Sequence, residues 1–282
     1  MGMVAGGQVA RIMLERLLKR KNPQLNLQAL QSGLEGNITT EMDLLVGDLA
    51  DIVSQEKSLQ QILQDIVEKN LEYSPGLFQD FPEFEKAWKI FIHRFGMRCT
   101  GELDISRPRW ETEPQMIFQT ILAKTKTSES GSHRKHYLRL QEQNLALQNE
   151  ILSAFSSSFK GRLQRPLVKR LLKVALNLMP IREHPKYIIS GYLNILRDQI
   201  RLVYANLLSQ GVSLSEDGVW YLTFDELQNL TTDPSTDFSE IIAERKLLYQ
   251  HYRKLSPPRV ITSEGEISHQ SLSKEGFPPH AI

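Results

Sequence analysis

The sequence is very poor in cysteine, since Cys99 is the single one in 282 residues. One thiol cannot form an internal disulfide, and it falls short of the ligands that a cysteine-rich zinc site needs. The chain also lacks an excess of either charge, with 34 Lys and Arg against 33 Asp and Glu. This balance removes the long-range field that a general nucleic-acid-binding protein uses. We therefore expect no nucleic-acid partner, and any anion site has to be local.

Long apolar runs are missing as well. The longest, such as the run at 188–196, are well short of the length that a membrane-spanning helix requires. The start of the chain, Met1 to Arg20, carries charges on a helical pattern instead of the apolar core of a signal peptide. We expect no membrane partner and predict a cytoplasmic location. With 40% hydrophobic and 24% charged residues, the chain can form one large domain or two small ones.

Apolar residues recur at three- and four-residue steps through most of the chain, which predicts a mainly α fold. We expect an irregular multi-helix domain over residues 1–255, with long loops and at most a short strand, Val219-Trp-Tyr-Leu-Thr223. Thr223 and Glu226 fit a capping box for the helix that follows. The Pro- and Gly-containing residues 256–282 predict an extended linker.

Two long predicted helices carry apolar stripes. The first stripe consists of Leu167, Leu171, Val174 and Leu178, and the second, in a helix beginning near Pro185, of Ile189, Tyr192, Leu196, Ile200, Val203 and Leu207. Another side of the first helix is basic, with Arg162, Arg165, Lys169 and Lys173. That basic side is either a solvated face or a local surface for nucleic acid or an acidic partner domain, and the solvated face is the usual case. At an earlier helix start, Thr39 or Thr40 is the expected N-cap, and Glu41 and Asp43 suit the positive helix end.

The segment Arg182-Glu-His-Pro-Lys186 is the strongest candidate for chemistry. Pro185 suits the first helical position, so Arg182 and Lys186 would lie beside free N–H groups at a helix start. Both cations could oppose the charge of a phosphoryl group, and His184 could exchange a proton near neutral pH. The alternative is that Arg182 pairs with Glu183 or another carboxylate, that Lys186 is solvated, and that His184 is a loop or packing residue.

Residues 96–114 lose the helical period but hold apolar residues, which indicates an ordered loop. Its charged residues form either a wall facing a ligand, with Trp110 as an apolar floor, or an ion-pair network that fixes the loop. They are Arg98, Glu102, Asp104, Arg107 and Arg109. Cys99 has no sequence context for an activated thiolate and is expected to be inert. No metal-ligand spacing is present, so we predict no metal site.

Four passages in order resemble the middle region of phosphoenolpyruvate synthase-like phosphotransferases. They are Asn37-Ile-Thr-Thr-Glu-Met42, Gly101-Glu-Leu-Asp-Ile-Ser-Arg-Pro-Arg-Trp110, Arg182-Glu-His-Pro-Lys186 and Pro258-Arg-Val-Ile-Thr-Ser-Glu-Gly265. Phe95-Gly-Met-Arg-Cys99 is similar to the rifamycin phosphotransferase branch of that family. The resemblance spans nearly the whole chain and implies the substrate-binding region of such an enzyme, in which the Arg and Lys of the third passage take part in transfer.

The resemblance further implies two partners within one enzyme, an ATP-grasp domain and a phosphohistidine carrier domain, together with a small acceptor, either pyruvate or a rifamycin. From the resemblance we expect this chain to carry neither of those domains, and the front of the substrate domain is also expected to be absent. We therefore expect the chain to bind no cofactor itself, to leave ATP and Mg²⁺ to the missing domains, and to be inactive alone. The alternative is a free-standing helical protein that binds a ligand or partner without catalysis.

Overall fold

The computed structural model describes residues 2–19, 21, 27–74, 76–255 and 263–264. These residues contain ten α-helices and no strand, which confirms the mainly α prediction. The helices are α1 (Gly2–Lys19), α2 (Ile38–Gln55), α3 (Lys57–Glu68), α4 (Pro82–Phe95), α5 (Gln115–Thr127), α6 (Ser132–Ala154), α7 (Phe159–Leu178), α8 (His184–Ser209), α9 (Phe224–Thr232) and α10 (Ser239–Arg253). Within the described ranges, no helix is long and apolar enough to cross a membrane.

The chain divides into two compact units, residues 1–199 and 200–282, with the boundary inside α8. The first unit contains a core built from α2 to α5, whose centre is aromatic. The ring centroid of Trp88 lies 6.2 Å from that of Phe84 and 5.0 Å from that of Phe118. Trp88 Nε1 donates to the Tyr73 hydroxyl at 2.9 Å. Each buried side chain of this size contributes about 1.5–3 kcal/mol. This core supports the end of α4, from which the long loop departs.

A second core in the first unit forms between α1, α6 and α7. Leu14, Ile151, Phe155 and Val168 are fully buried in it. Helices α1 and α7 approach closely because Gly7 has no side chain: a Cβ there would lie 3.1 Å from the Leu178 Cβ. This core fixes the end of α7, and the 3₁₀ helix Pro180–Glu183 and α8 follow directly.

The second unit has its own core around Tyr204, Leu230, Phe238 and Ile242. Its described part contains the end of α8, the 3₁₀ helix Gly218–Tyr221, α9 and α10. The capping box is confirmed, since Thr223 Oγ1 accepts from the Glu226 N–H and Glu226 accepts from the Thr223 N–H. The strand predicted at 219–223 is wrong: Gly218–Tyr221 is a 3₁₀ helix.

Two further local predictions are corrected. The N-cap of α2 is Asn37, whose side chain accepts from the N–H groups of both Thr39 and Thr40, so the predicted threonines are first-turn residues. The buried stripe of α7 is displaced by about one residue, because Val168, Leu171, Leu172 and Ala175 face the core while Leu167 is exposed. The predicted linker at 256–282 lies outside the described residues, apart from 263–264.

Candidate active site

The loop between α4 and α5 closes on itself at its two ends. The Trp110 N–H donates to the Arg98 carbonyl and the Glu111 N–H to the Gly96 carbonyl, both at 3.0 Å. Between these bonds the chain turns at Gly101, whose φ of +77° suits a residue without a side chain. The result is a compact loop packed by its own residues. The predicted order of this segment is explained by these bonds.

Glu102 lies inside this loop and is only 2% exposed. Its Oε2 accepts from Arg98 Nε at 2.8 Å, and its Oε1 accepts from Arg98 Nη2 at 2.9 Å and lies 3.2 Å from Lys186 Nζ. Burial raises the pKa of Glu102, but the bonds and charges of Arg98 and Lys186 outweigh burial and hold the pKa below its usual 4.5. The Glu102 carboxylate is therefore a buried anion between two cations.

Arg109 occupies the interior of the loop and is fully buried. Its Nη1 donates to the Glu102 carbonyl at 3.1 Å and to Cys99 Sγ at 3.0 Å, while Nε and Nη2 have no partner among the described residues. Asp104 and Arg107 pair with each other at 3.5 Å on the surface. The loop charges thus lie in three settings, and Arg109 faces the protein interior rather than open solvent.

The segment Arg182–Lys186 follows α7 as continuous helical backbone. Arg182 lies in the 3₁₀ helix Pro180–Glu183, and α8 starts at His184, one residue before Pro185. The His184 N–H already bonds to the Ile181 carbonyl, and Pro185 has no N–H to offer. Free N–H groups therefore contribute less here than the sequence suggests, and the positive charge of the segment comes mainly from side chains.

The three candidate side chains of this segment differ in their surroundings. Lys186 is 56% exposed although its ammonium contacts buried Glu102. Arg182 is more exposed and donates to its neighbour Glu183 at 2.9 Å, which is the pairing foreseen as the alternative. His184 is partly buried, and its Nδ1 has no partner among the described residues. Both cations can be reached from solvent.

The part of α8 that lies in the first unit buries its polar face. Ser190, Asn194 and Arg197 are buried on one side of the helix. The first half of the predicted apolar stripe is therefore wrong as a core face, whereas Ile200 and Leu207 near its end do pack into the core of the second unit. Its residues Ile189, Tyr192 and Leu196, together with Ile188 and Ile195, are 44–70% exposed on the opposite side. Together these five residues make up the apolar face of α8, which begins within one turn of Lys186.

Polar bonds explain why α8 takes this orientation. The Tyr187 hydroxyl donates to the Arg94 carbonyl at 2.8 Å at the end of α4, and Asn194 Nδ2 donates to Glu111 Oε1 at 2.9 Å at the end of the loop. The Tyr187 ring also packs against Phe95 at 5.9 Å. With the Lys186–Glu102 pair, these contacts hold one face of α8 against the loop. The apolar face lies on the other side of the helix and is 44–70% exposed.

Sequence reasoning missed the link between Glu102 and Lys186. The close spacing of Arg98 and Glu102 is a usable signal for their pairing, although the segment is not a helix. The contact between Lys186 and Glu102 joins positions that are far apart in the chain. No local sequence pattern predicts it. The structure brings Arg98, Glu102 and Lys186 together, and leaves Asp104 and Arg107 as a separate surface pair.

The sequence profile of the rifampicin phosphotransferase fourth domain matches residues 1–183. The chain belongs to the rifampicin phosphotransferase family. The rifampicin phosphotransferase of Bacillus subtilis (strain 168) is 30% identical over 253 residues, which cover 90% of this chain and 29% of that protein. The corresponding protein of Bacillus cereus is 31% identical over 274 residues, covering 95% and 30%, and that of Streptomyces sviceus is 28% identical over 270 residues, covering 95% and 30%.

The regions that match the rifampicin phosphotransferase family contain the candidate site. The profile match includes the loop and Arg182 and stops shortly before Lys186. Alignments that cover 90% and 95% of the chain necessarily include Lys186. The chain spans about 30% of the length of these relatives.

Proposed function

We propose that this chain is the acceptor-side platform of a rifamycin phosphotransferase, with the start of α8 receiving a phosphoryl group from a phosphohistidine carrier elsewhere in the same enzyme. The observation that carries the proposal is the Lys186 ammonium, which lies beside a buried carboxylate although its side chain is 56% exposed, at the start of a helix whose other side is an exposed apolar face. The names of the relatives supply the acceptor class.

The cations are suited to the negative charge of transfer. A phosphoryl group in transit spreads charge over its outer oxygens, and positively charged side chains that are already in place stabilise it. Lys186 supplies a point charge and Arg182 a planar guanidinium that can grip two oxygens. Arg182 donates to the adjacent Glu183, and that exposed pair contributes little stability. Arg182 can therefore exchange Glu183 for phosphate at low cost.

The apolar face of α8 is the proposed contact for the acceptor. A rifamycin is a large, largely apolar molecule, and ligand sites are mostly apolar with a few placed polar groups. Tyr192 and Ile195, 70% and 61% exposed, offer such a surface on the side of α8 that leads away from Lys186. Because Lys186 contacts Glu102 on the opposite side of α8, an acceptor bound to this face has to extend around the start of the helix to bring a hydroxyl to the two cations.

The transfer step balances without a metal on this chain. The P–N bond of the carrier breaks, a P–O bond to the acceptor hydroxyl forms, and the hydroxyl proton ends on the imidazole nitrogen that released phosphorus. His184 Nδ1 is buried and has no partner among the described residues, so in this proposal His184 relays that proton only if the start of α8 opens toward the acceptor. ATP and Mg²⁺ belong in this proposal to the carrier-loading reaction on other domains, and a cytoplasmic location fits that use of ATP.

The test uses a reconstituted enzyme in which this chain replaces the matching 29% of the Bacillus subtilis relative. We expect the reconstituted enzyme to phosphorylate rifampicin with ATP, and this chain alone to show no such activity. Lys186→Ala and Arg182→Ala should each lower kcat about 100-fold, the usual loss when one charge-stabilising donor is removed. Lys57→Ala, an exposed lysine without an ion pair among the described residues, serves as the control and should keep full activity.

Two results would contradict the proposal. One is a folded reconstituted enzyme that carries no transferase activity, and the other is normal kcat in Lys186→Ala. Binding of rifampicin to such an inactive protein would instead favour the non-catalytic ligand-binding alternative. The exposed apolar face of α8 would then be its binding surface.

A further inference from the structure

The carboxylate that contacts Lys186 is better fixed than the lysine itself. Glu102 is almost fully buried, while the side chain of Lys186 is more than half exposed. Arg98 already binds both carboxylate oxygens of Glu102, through Nε at 2.8 Å and Nη2 at 2.9 Å. The buried charge is therefore paired without Lys186. The lysine contact is additional, and it constrains an otherwise mobile side chain.

The backbone of Glu102 is held from the inside of the loop. Buried Arg109 donates from Nη1 to the Glu102 carbonyl at 3.1 Å. The bonds from Trp110 to Arg98 and from Glu111 to Gly96 close the loop around this pair. A side chain fixed by such bonds can set the position of a flexible partner, because the partner adapts and the fixed group does not.

We propose that Glu102 is a positioning residue that holds the Lys186 ammonium where it meets the transferred phosphoryl group. This inference rests on the proposed function and adds two members to the site, Glu102 and the Arg98 that clamps it. Lys186 has a long, rotatable side chain, so fixing its ammonium before the reaction removes an entropy cost from the transfer step. The cluster of Arg98, Glu102 and Lys186 keeps a net charge of +1.

An electrostatic role and a positioning role of Glu102 predict opposite effects when its carboxylate is neutralised. If Glu102 only weakens the field of Lys186, its neutralisation leaves two uncompensated cations and should speed transfer to a phosphoryl acceptor. If Glu102 holds Lys186 in place, neutralisation should slow transfer although the site becomes more positive. The sign of the change in kcat therefore separates the two roles.

The first arm of the test uses this chain alone. The chain is labelled briefly with acetic anhydride, and the modified lysines are quantified by mass spectrometry, with Lys57 as the internal reference. Glu102→Gln should raise the ratio of Lys186 to Lys57 labelling at least threefold, because the ammonium loses its carboxylate partner. Glu113→Gln is the matched control, an exposed glutamate of the same loop, and should leave the ratio unchanged. An unchanged ratio in folded Glu102→Gln would overturn the inference.

A second variant guards against unfolding. Glu102→Asp keeps the negative charge opposite Arg98 but draws the carboxylate back by one methylene, so it should fold and still release Lys186 in part. We expect an intermediate labelling ratio from this variant. Should both variants fold, as judged by circular dichroism, and label like the parent chain, the contact does not hold Lys186 and the inference fails.

The second arm measures kinetics in the reconstituted enzyme. Glu102→Gln should lower kcat at least tenfold and change the KM for rifampicin less than threefold, with Glu102→Asp recovering part of the loss and Glu113→Gln unchanged. A kcat at or above the parent value would overturn the positioning role while Lys186→Ala remained slow, leaving the proposed function intact. Normal activity of Lys186→Ala would instead contradict both proposals, and the labelling arm would still report on the ion pair.

Discussion

At the residue scale, Gly47 shows how one missing side chain sets a packing distance. It lies in α2 where the His133 ring crosses, and a Cβ at Gly47 would come within 2.4 Å of that ring. The ring cannot easily retreat, because His133 Nε2 lies 3.0 Å from Asp48 Oδ1. Asp51, one turn later, accepts from the Gly131 N–H at 2.9 Å just before α6. Gly47 is therefore the point at which α6 is fitted against α2.

We predict that Gly47→Ala lowers the free energy of unfolding by about 1–3 kcal/mol, the usual effect of overpacking a buried contact. Urea denaturation followed by circular dichroism measures this change. The matched control is Gly191→Ala in α8, where a Cβ meets nothing within 4 Å. That variant should gain up to about 1 kcal/mol, because alanine favours helix over glycine. Equal effects from the two substitutions would show that the His133 contact is not rigid.

Individual site residues were predictable from the sequence only in part. Arg182, His184, Pro185 and Lys186 are adjacent, so the turn into α8 and the closeness of the cations follow from local rules. The burial of Arg109 and the contact of Glu102 with Lys186 do not. They depend on how the loop between α4 and α5 packs against α8, which begins much later in the chain. No spacing of residues in the sequence predicts that contact.

At the scale of single elements, the start of α9 could be predicted from the sequence, because its capping box joins two residues that are three positions apart. Glu226 also receives two bonds from Arg245, at 2.5 and 2.9 Å. The Arg245 bonds, followed by the N–H and hydroxyl groups of Thr223, lower the pKa of Glu226 to about 2. A carboxylate whose pKa falls on folding stabilises the folded state above its unfolded pKa, which is about 4.5 for Glu226. That contribution is lost as the pH falls from about 4.5 toward 2.

We predict that Glu226→Gln removes this part of the pH dependence. Thermal melts of parent and variant should differ most above pH 5 and converge as the pH approaches 2. Glu240→Gln, an exposed glutamate in the first turn of α10, is the control and should follow the parent curve. A Glu226→Gln curve parallel to that of the parent at every pH would contradict the assignment.

The cap itself gives a second prediction for this element. Thr223→Ala removes the acceptor for the Glu226 N–H and should lower the midpoint of thermal unfolding, with a loss of about 1 kcal/mol. Among the described residues, the Thr231 hydroxyl donates to the Gln228 carbonyl within α9, and Thr231→Ala should change stability by less than half of that. Reversed effects would show that the box is not what starts α9.

Helix α8 explains why pattern reading gave the helix but not its buried face. Alternating three- and four-residue steps establish that one side is apolar, and the usual assumption is that the apolar side meets the core. Here the opposite side is fixed by Glu102, Arg94 and Glu111. Those partners lie far away in sequence, so the period could not reveal which face they bind.

At the scale of the whole molecule, the mainly α fold could be predicted from the sequence. Apolar residues at three- and four-residue steps give each helix one side that can be buried, whatever element it packs against. The division at residues 199 and 200 has no signal in the sequence, because the boundary falls inside one helix. The 3₁₀ helix Gly218–Tyr221 cannot be told from a strand by its pattern, because a short run of β-branched and aromatic residues fits either structure.

The exposed apolar residues of α8 predict that this chain self-associates when it is alone, since contiguous apolar surface is rarely left open to water. Sedimentation velocity at increasing concentration measures the association. Ile195→Glu, in the middle of the apolar face, should weaken it at least threefold. Leu145→Glu, an exposed leucine on α6, is the control and should change it little. A strictly monomeric parent chain would contradict the prediction.

The most direct test of the proposed role of Lys186 is a single-turnover measurement in the reconstituted enzyme. The carrier histidine is phosphorylated first, ATP is removed, and the decay of phosphohistidine after addition of rifampicin is followed by rapid quench. Single turnover isolates the transfer step from loading and product release. We predict that Lys186→Ala slows this decay about 100-fold and that Lys57→Ala leaves it unchanged. Equal decay rates in the parent and in Lys186→Ala would contradict the proposed role of the α8 start.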